Sequence, residues 1–389
     1  MQFRSALLLL GSAALLQLSA CSIQETGDEQ ANAPESSAPA SDAMASNDDP
    51  NASLPAEDKP RPLMQAQVVL DRLGFTPGVV DGKMGMSTVN ALKGFQEARG
   101  LPVSGELDQA TQQALAQWKH IPATRVVTIP ADFANEQFVE IPEDRKEQAK
   151  LDRMGYSSLG EKIAERFHTT EEVLAELNAQ PAAAPAAGPA AAQGNEATPE
   201  GNGGGAMPAL AFKAGMQLRV PNVGADKFDP AAVKDEKWAS TLRLLGVGTE
   251  QPKAAKIEVD KSDQVLRVLD GQGKLLAQFT ATMGSSQFPL PLGTWKIMGI
   301  AHNSPWQYDP ALLSTADKSD PKLEIPPGPN NPIGVVWIDL SKEHYGIHGT
   351  DSPDRIGRAE SNGCIRLTNW DAARLAQMVG PGIEAVFRA

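Results

Sequence analysis

The spacing of apolar residues divides the chain into stretches of different period. Leu63, Ala66, Leu70 and Leu73 recur at helical spacing until Gly74, and Ser87–Arg99 and Asp108–Trp118 give two further predicted helices. An internal repeat runs through this part: Val80-Asp-Gly82, Thr88, Leu92 and Phe95 return twenty-three positions later as Val103-Ser-Gly105, Thr111, Leu115 and Trp118. Each copy reads as a glycine turn, a capped helix start and an apolar face. Residues 120–150, broken by Pro122, Pro130 and Pro142, give no firm element. Two more helical runs, 158–167 and 169–178, precede an Ala/Pro/Gly tract, and Phe212–Asn222 reads as a returning strand.

From Ala254 the period changes to two. Ile257/Val259, Val265–Leu269, Leu275–Ala281, Gly293–Met298 and Val335–Leu340 read as strands, with Asp270-Gly-Gln-Gly273 as a turn. A Pro-rich loop from His302 to Pro332 carries Trp306 and Tyr308; a loop of that length in a compact domain is usually a lid or a binding loop. Thr368 or Asn369 can cap a helix from Trp370 to Val379, and Ile383–Phe387 reads as a last strand.

Length and charge add to this. A chain of 389 residues suggests two or three domains, and its net charge of −13 is unevenly placed: 22–61 holds nine acids and two bases. No basic patch stands out, so no nucleic-acid partner is expected. Residues 1–20 carry one early base, Arg4, and an apolar run from Ala6 to Leu18, the layout of a secretory signal and too short to span a bilayer as a stable helix. Residues 22–61 cannot bury enough apolar surface to order, and as a tether of about 40 residues they would reach about 35 Å.

Candidate chemistry lies near the C-terminus, in Tyr345-Gly-Ile-His-Gly-Thr350 and Ser361-Asn-Gly-Cys-Ile-Arg-Leu367. Cys364 is one of two cysteines, and Cys21 sits where a processing enzyme would claim it. A lone thiol with Gly363 before it and His348 upstream has two readings: a buried Cys with a hydrogen-bonded core His, or Cys/His nucleophilic catalysis. His344, His348 and Asp351 lack a third His or Cys at ligand spacing, so no metal is expected. His302 could line the cleft, whereas His120 and His168 are expected to face solvent. Arg366, two positions past Cys364, shares its face on a strand and could bind a substrate carboxylate or form a structural pair.

The run YGIHGT followed by SxGCIR resembles the catalytic signature of the L,D-transpeptidases. The resemblance implies a mostly antiparallel β catalytic domain at 252–389, Cys364 as nucleophile and His348 as base, with the Gly349 carbonyl holding the other ring nitrogen. It also implies the Gly363 and Cys364 N–H groups as oxyanion donors, and Ser361, Asn362, Arg366, Trp306 and Tyr308 on the substrate. Asn362 departs from the family members that have His before the Gly-Cys pair. The implied reaction attacks the carbonyl between a diamino acid and D-Ala in a tetrapeptide stem, releases D-Ala, and passes the acyl group to an amine or to water, with no cofactor. A small outer-membrane lipoprotein is one implied acceptor.

Residues 62–119 resemble a three-helix peptidoglycan-binding domain. Residues 120–222 resemble a LysM module, a small α+β wall-binding unit, here interrupted by a disordered 179–209. Residues 223–251 are expected to be a linker. Leu18-Ser-Ala-Cys21 resembles a bacterial lipobox, which implies cleavage before Cys21, lipid on its sulfur and, with Ser22 following, an anchor in the outer membrane facing the periplasm. The whole reads as a multidomain chain.

Overall fold

The computed structural model describes residues 59–179, 210–224, 226–313, 316–361 and 363–389. Cys21, the expected signal, nearly all of the tether, the tract 180–209 and Asn362 lie outside the described residues.

Helices form where the apolar spacing places them: α1 (Pro62–Arg72), α2 (Met86–Ala98) and α3 (Gln109–Leu115), the last continued by a 3-10 turn at Ala116–Trp118. Phe75–Thr76, between α1 and α2, is a two-residue strand, β1. The repeat has a mechanical cause. The buried Gln67 amide on α1 accepts from the Gly82 N–H at 2.6 Å and donates to the Thr88 hydroxyl at 3.0 Å. Gln96 on α2 does the same to Gly105 and Thr111, both at 2.8 Å. Both glycines have φ of 72°, a left-handed conformation that a Cβ disfavours. Each repeat is thus a turn hung on a glutamine of the preceding helix.

The stretch without firm elements at the sequence level carries β2 (Thr124–Thr128), α4 (Ala131–Ala134) and α5 (Arg145–Gln148). Next come α6 (Leu159–Arg166), capped by Ser158, and α7 (Glu171–Asn178), capped by Thr170. The returning strand forms as β3 (Gln217–Pro221) and pairs antiparallel with β2. The expected linker needs correction. Within 223–251, Glu236–Leu245 is a helix, α8, started by Asp235 and ended by the left-handed Gly246. Trp238, Leu242 and Leu245 fall on one helical stripe and are buried in the core of the C-terminal part.

That core lies against a nine-stranded mixed sheet of order β1-β6-β5-β4-β13-β7-β10-β11-β12 among the described residues. Its members after β1 are β4 (Lys256–Asp260), β5 (Val265–Leu269), β6 (Leu275–Thr280), β7 (Gly293–His302), β10 (Val336–Leu340), β11 (Gly346–His348), β12 (Ile365–Arg366) and β13 (Glu384–Arg388). The Pro-rich loop folds into its own hairpin, β8 (Trp306–Tyr308) against β9 (Leu323–Ile325). Helix α9 (Asn369–Met378), capped by Thr368, buries Trp370 beneath the sheet.

The accessory parts are fused to this core. β1 pairs parallel with β6 and extends the catalytic sheet. Asp71 of α1 is wholly buried, with the Arg374 guanidinium of α9 at 3.0 Å and His168 Nδ1 at 2.9 Å. Burial opposes ionisation of Asp71, but the Arg374 and His168 charges and hydrogen bonds outweigh it and hold the carboxyl well below its ordinary value. His168, expected at the surface, is fully buried: its ring stacks on Trp370 at 4.7 Å and Nε2 meets the Leu245 carbonyl at 3.0 Å. A helical register alone could not reveal that its outward face would be covered by α8 and α9.

Candidate active site

β11 and β12 build the site. They pair in parallel with Ile347 opposite Ile365 and His348 opposite Arg366, so one step back sets Gly346 beside Cys364. Side chains alternate along a strand, which puts His348, Arg366 and Cys364 on one face and the buried Ile347 and Ile365 on the other. The face with the polar residues opens into a cleft of about 650 Å³.

His348 is buried, its ring stacked on Trp337 at 5.6 Å, and Nδ1 donates to the Gly349 carbonyl at 2.7 Å. That bond leaves Nε2 as the nitrogen with a free lone pair. Burial, helped by the Arg366 charge and opposed by the Gly349 bond, lowers its pKa to about 3, so the imidazole is neutral. The Cys364 thiol is pushed the other way. Burial raises its pKa, while the Gly346 N–H and Arg366 pull it back, and its S–H donates to the His344 carbonyl at 3.8 Å. The resting pair is a neutral imidazole and a protonated thiol.

Glycines are required by contact. A Cβ on Gly363, at φ of 107°, would stand 2.6 Å from the Tyr345 ring. One on Gly346 would stand 2.5 Å from Trp337, and one on Gly349 would stand 2.1 Å from the Asn369 amide oxygen. Ser361 is buried, donates to the Cys364 carbonyl at 2.6 Å and accepts from the Gly363 N–H at 3.2 Å. Of the two expected oxyanion donors, the Gly363 N–H is thus engaged by Ser361 in this structure.

Trp306 and Tyr308 line the cleft opposite Cys364, edge to face at 5.3 Å. Arg366 lines it too, with its Nε buried and without a hydrogen-bond partner among the described residues. Asn362 lies outside the described residues. His302 does not line the cleft: it stacks on Trp238 at 4.0 Å, and burial lowers its pKa. His344 lies on the rim, exposed and at φ of 66°.

Sequence reasoning missed the buttress of the cleft. Asn369 of α9 accepts from the Val335 N–H at 3.2 Å, abuts Gly349, and donates to the buried Glu165 of α6 at 2.7 Å. Tyr156 donates to the same carboxyl group. The accessory segment is also bonded to the Pro-rich loop: the Met154 N–H donates to the Pro327 carbonyl at 3.0 Å and the Met154 carbonyl accepts from the Asn330 N–H at 3.1 Å, while Lys146 pairs with Asp320 at 2.9 Å. These bonds join segments far apart in sequence, and no local periodicity signals them.

Comparison with known proteins follows the same division. Residues 254–387 match the family described as "L,D-transpeptidase catalytic domain", and residues 62–115 match "Putative peptidoglycan binding domain". The "Putative L,D-transpeptidase YkuD" of Bacillus licheniformis is 54% identical over 56 residues, 14% of this chain and 34% of that one. Its Bacillus subtilis counterpart is 54% identical over 54 residues, so the chain spans about a third of the length of these Bacillus relatives. A solved L,D-transpeptidase from Mycobacterium smegmatis is 24% identical, covers 34% of this chain and 58% of its own, and superposes with a TM-score of 0.28. The "Putative L,D-transpeptidase in ATP synthase subunits region ORF 5" of Fuscovulum blasticum is 30% identical over 173 residues, 44% of this chain and 89% of that protein. With 89% of that relative covered at 30% identity, the chain belongs to the L,D-transpeptidase family.

Proposed function

We propose that the chain is a cysteine acyltransferase of the cell wall that works through a thioester on Cys364. The observation that carries this is the parallel pairing of β11 with β12, which brings His348 and Cys364 onto one face of one cleft. Nε2 of His348 takes the thiol proton as the sulfur attacks the carbonyl between the third-position diamino acid and D-Ala of a tetrapeptide stem. The carbonyl oxygen becomes an oxyanion facing the Cys364 N–H. His348 then returns the proton to the departing D-Ala amine, and an incoming amine, deprotonated by the same nitrogen, resolves the thioester.

The neutral state of His348 and the protonated state of Cys364 support proton transfer coupled to attack over a preformed thiolate–imidazolium pair. Residues 62–115, matched to a peptidoglycan-binding domain, hold the enzyme on the wall. The antiparallel pairing of β2 with β3 around the helix pair α6 and α7 supports reading 120–222 as a second, LysM-like wall module, with α4 and α5 inserted after β2. Lipid on Cys21 would tether the chain to the outer membrane's periplasmic face. Fatty-acid labelling that survives Cys21→Ala would rule that anchor out.

Incubating the protein with disaccharide tetrapeptide and weighing the products tests the reaction. Cross-linked dimers with free D-Ala are expected, and His348→Ala should lower the rate about a hundred- to ten-thousandfold. Tripeptide monomers alone would assign water as the acceptor, and unchanged tetrapeptide would refute the proposal.

A further inference from the structure

Arg145, the first residue of α5, lies far outside the 254–387 span matched by the catalytic family. It nonetheless lines the cleft together with Cys364, His348 and Arg366. Beyond Pro332 the cleft continues into a side recess, whose walls again include Arg145 and Arg366, joined by Arg355. The Arg145 guanidinium stands 5.4 Å from the Trp306 ring and donates to the Gln148 side chain. Its position is fixed by α5, which the Lys146–Asp320 pair ties to the Pro-rich loop.

The charge balance of this wall is uneven. The cleft's Lys322 is neutralised by Asp309 at 2.6 Å. Among the described residues no carboxylate lies within 4.0 Å of the Arg145, Arg355 or Arg366 guanidinium. The acids on the recess, Asp351 and Glu360, are exposed and make no such pair. Burial lowers the pKa of Arg366, Asp351 opposes this, and Arg355 and Arg145 add to the depression, so the guanidiniums feel one another. Arg366 Nε is buried with no acceptor among the described residues. Two planar guanidiniums left without an anion beside a nucleophile fit a carboxylate in bidentate geometry. Holding two like charges there without an anion within ion-pair distance costs free energy that a bound carboxylate would offset.

We propose that Arg145 and Arg366 together bind a carboxylate of the acyl-donor peptide, so that a residue of the accessory segment decides which stem the catalytic domain accepts. This rests on the stem-peptide reading above, and the test separates the two. The full chain carrying Cys364→Ala is titrated calorimetrically with L-Ala-D-Glu-diaminopimelate-D-Ala and with three analogues, each amidated at one carboxylate. Adding Arg145→Ala should weaken the unmodified peptide about ten- to a hundredfold, the range for hydrogen bonds to a charged group. Arg145→Lys should recover only part, because an ammonium cannot reproduce the fork. For one amidated analogue Arg145→Ala should bring no further loss, which identifies the carboxylate. Unchanged affinity in Arg145→Ala, equal loss for all four peptides, or no binding by the parent would overturn the assignment; Arg145→Gln serves if the alanine variant does not fold. A wild-type chain that binds the peptide yet leaves Cys364 unacylated would count against the acyl-transfer reading alone and leave the Arg145 assignment standing.

Discussion

His348 and Cys364 depart from their ordinary acid–base behaviour in opposite directions, and the same burial causes both. Removing water disfavours the charged form of each, so the imidazole stays unprotonated to about pH 3 and the thiol keeps its proton past its usual range. A base lowered in this way is competent at every pH above its own pKa. Acylation of Cys364 by the tetrapeptide stem should therefore hold nearly constant from pH 8 down to pH 5. A rate that falls tenfold per pH unit below about 6.5, the ordinary histidine value, would contradict the burial of His348 in the working enzyme. The glycines around the pair set its geometry: Gly349 offers His348 its carbonyl and admits Asn369, and Gly363 turns under Tyr345. That Gly363 donates to Ser361 was not readable from sequence, because the bond depends on the backbone at Gly363, whose φ is 107°.

The longer strands β4, β5, β6, β7, β10 and β13 and the helix α9 were readable from apolar pattern, whereas the short β8, β9, β11 and β12 were not. Val265–Leu269 was read to the residue, and Gly293–Met298 only fell short of His302. The motif also singled out Cys364 and His348, which the pairing of β11 with β12 brings into one cleft. What could not be read was packing between distant segments. α8 lay in a stretch taken for a linker because its stripe of Trp238, Leu242 and Leu245 is short, and α5 is a single turn with no periodicity to detect. The Glu165–Asn369 bond joins α6 to α9 and steadies the Gly349 loop from behind. Burial raises the Glu165 pKa from 4.5 to about 7, against the Tyr156 and Asn369 hydrogen bonds. A carboxyl group with a raised folded-state pKa stabilises fully below its unfolded value, and that contribution is lost as pH rises through about 7. The melting temperature of Glu165→Gln should accordingly vary less between pH 5 and pH 8 than that of wild type. An unaltered pH dependence would show that this carboxyl is not buried in its neutral form.

The helices of 62–115 and the C-terminal sheet are one folded body where the sequence suggested separate modules on linkers. β1 adds an outer strand to β6, and Asp71 meets Arg374 in the interior with Asp226 at 3.3 Å on the other side. Removing one member of a buried ion pair typically costs about 3–5 kcal/mol, because the other charge is left behind. Asp71→Ala should lower the stability of the entire chain by about that amount in a single denaturant transition. A variant that loses only the helical signal of 62–115 and keeps a native catalytic core would refute the fusion. Such a body carries the helices of 62–115 and the Cys364 cleft at fixed positions. Intact-protein and peptide mass spectrometry after brief exposure to the tetrapeptide stem measures formation of an acyl bond on Cys364 directly. An added tripeptide acyl mass on the Cys364 peptide is expected, with D-Ala released in equal amount and neither seen in Cys364→Ala. D-Ala release that persists in Cys364→Ala, or an adduct on another residue, would contradict it.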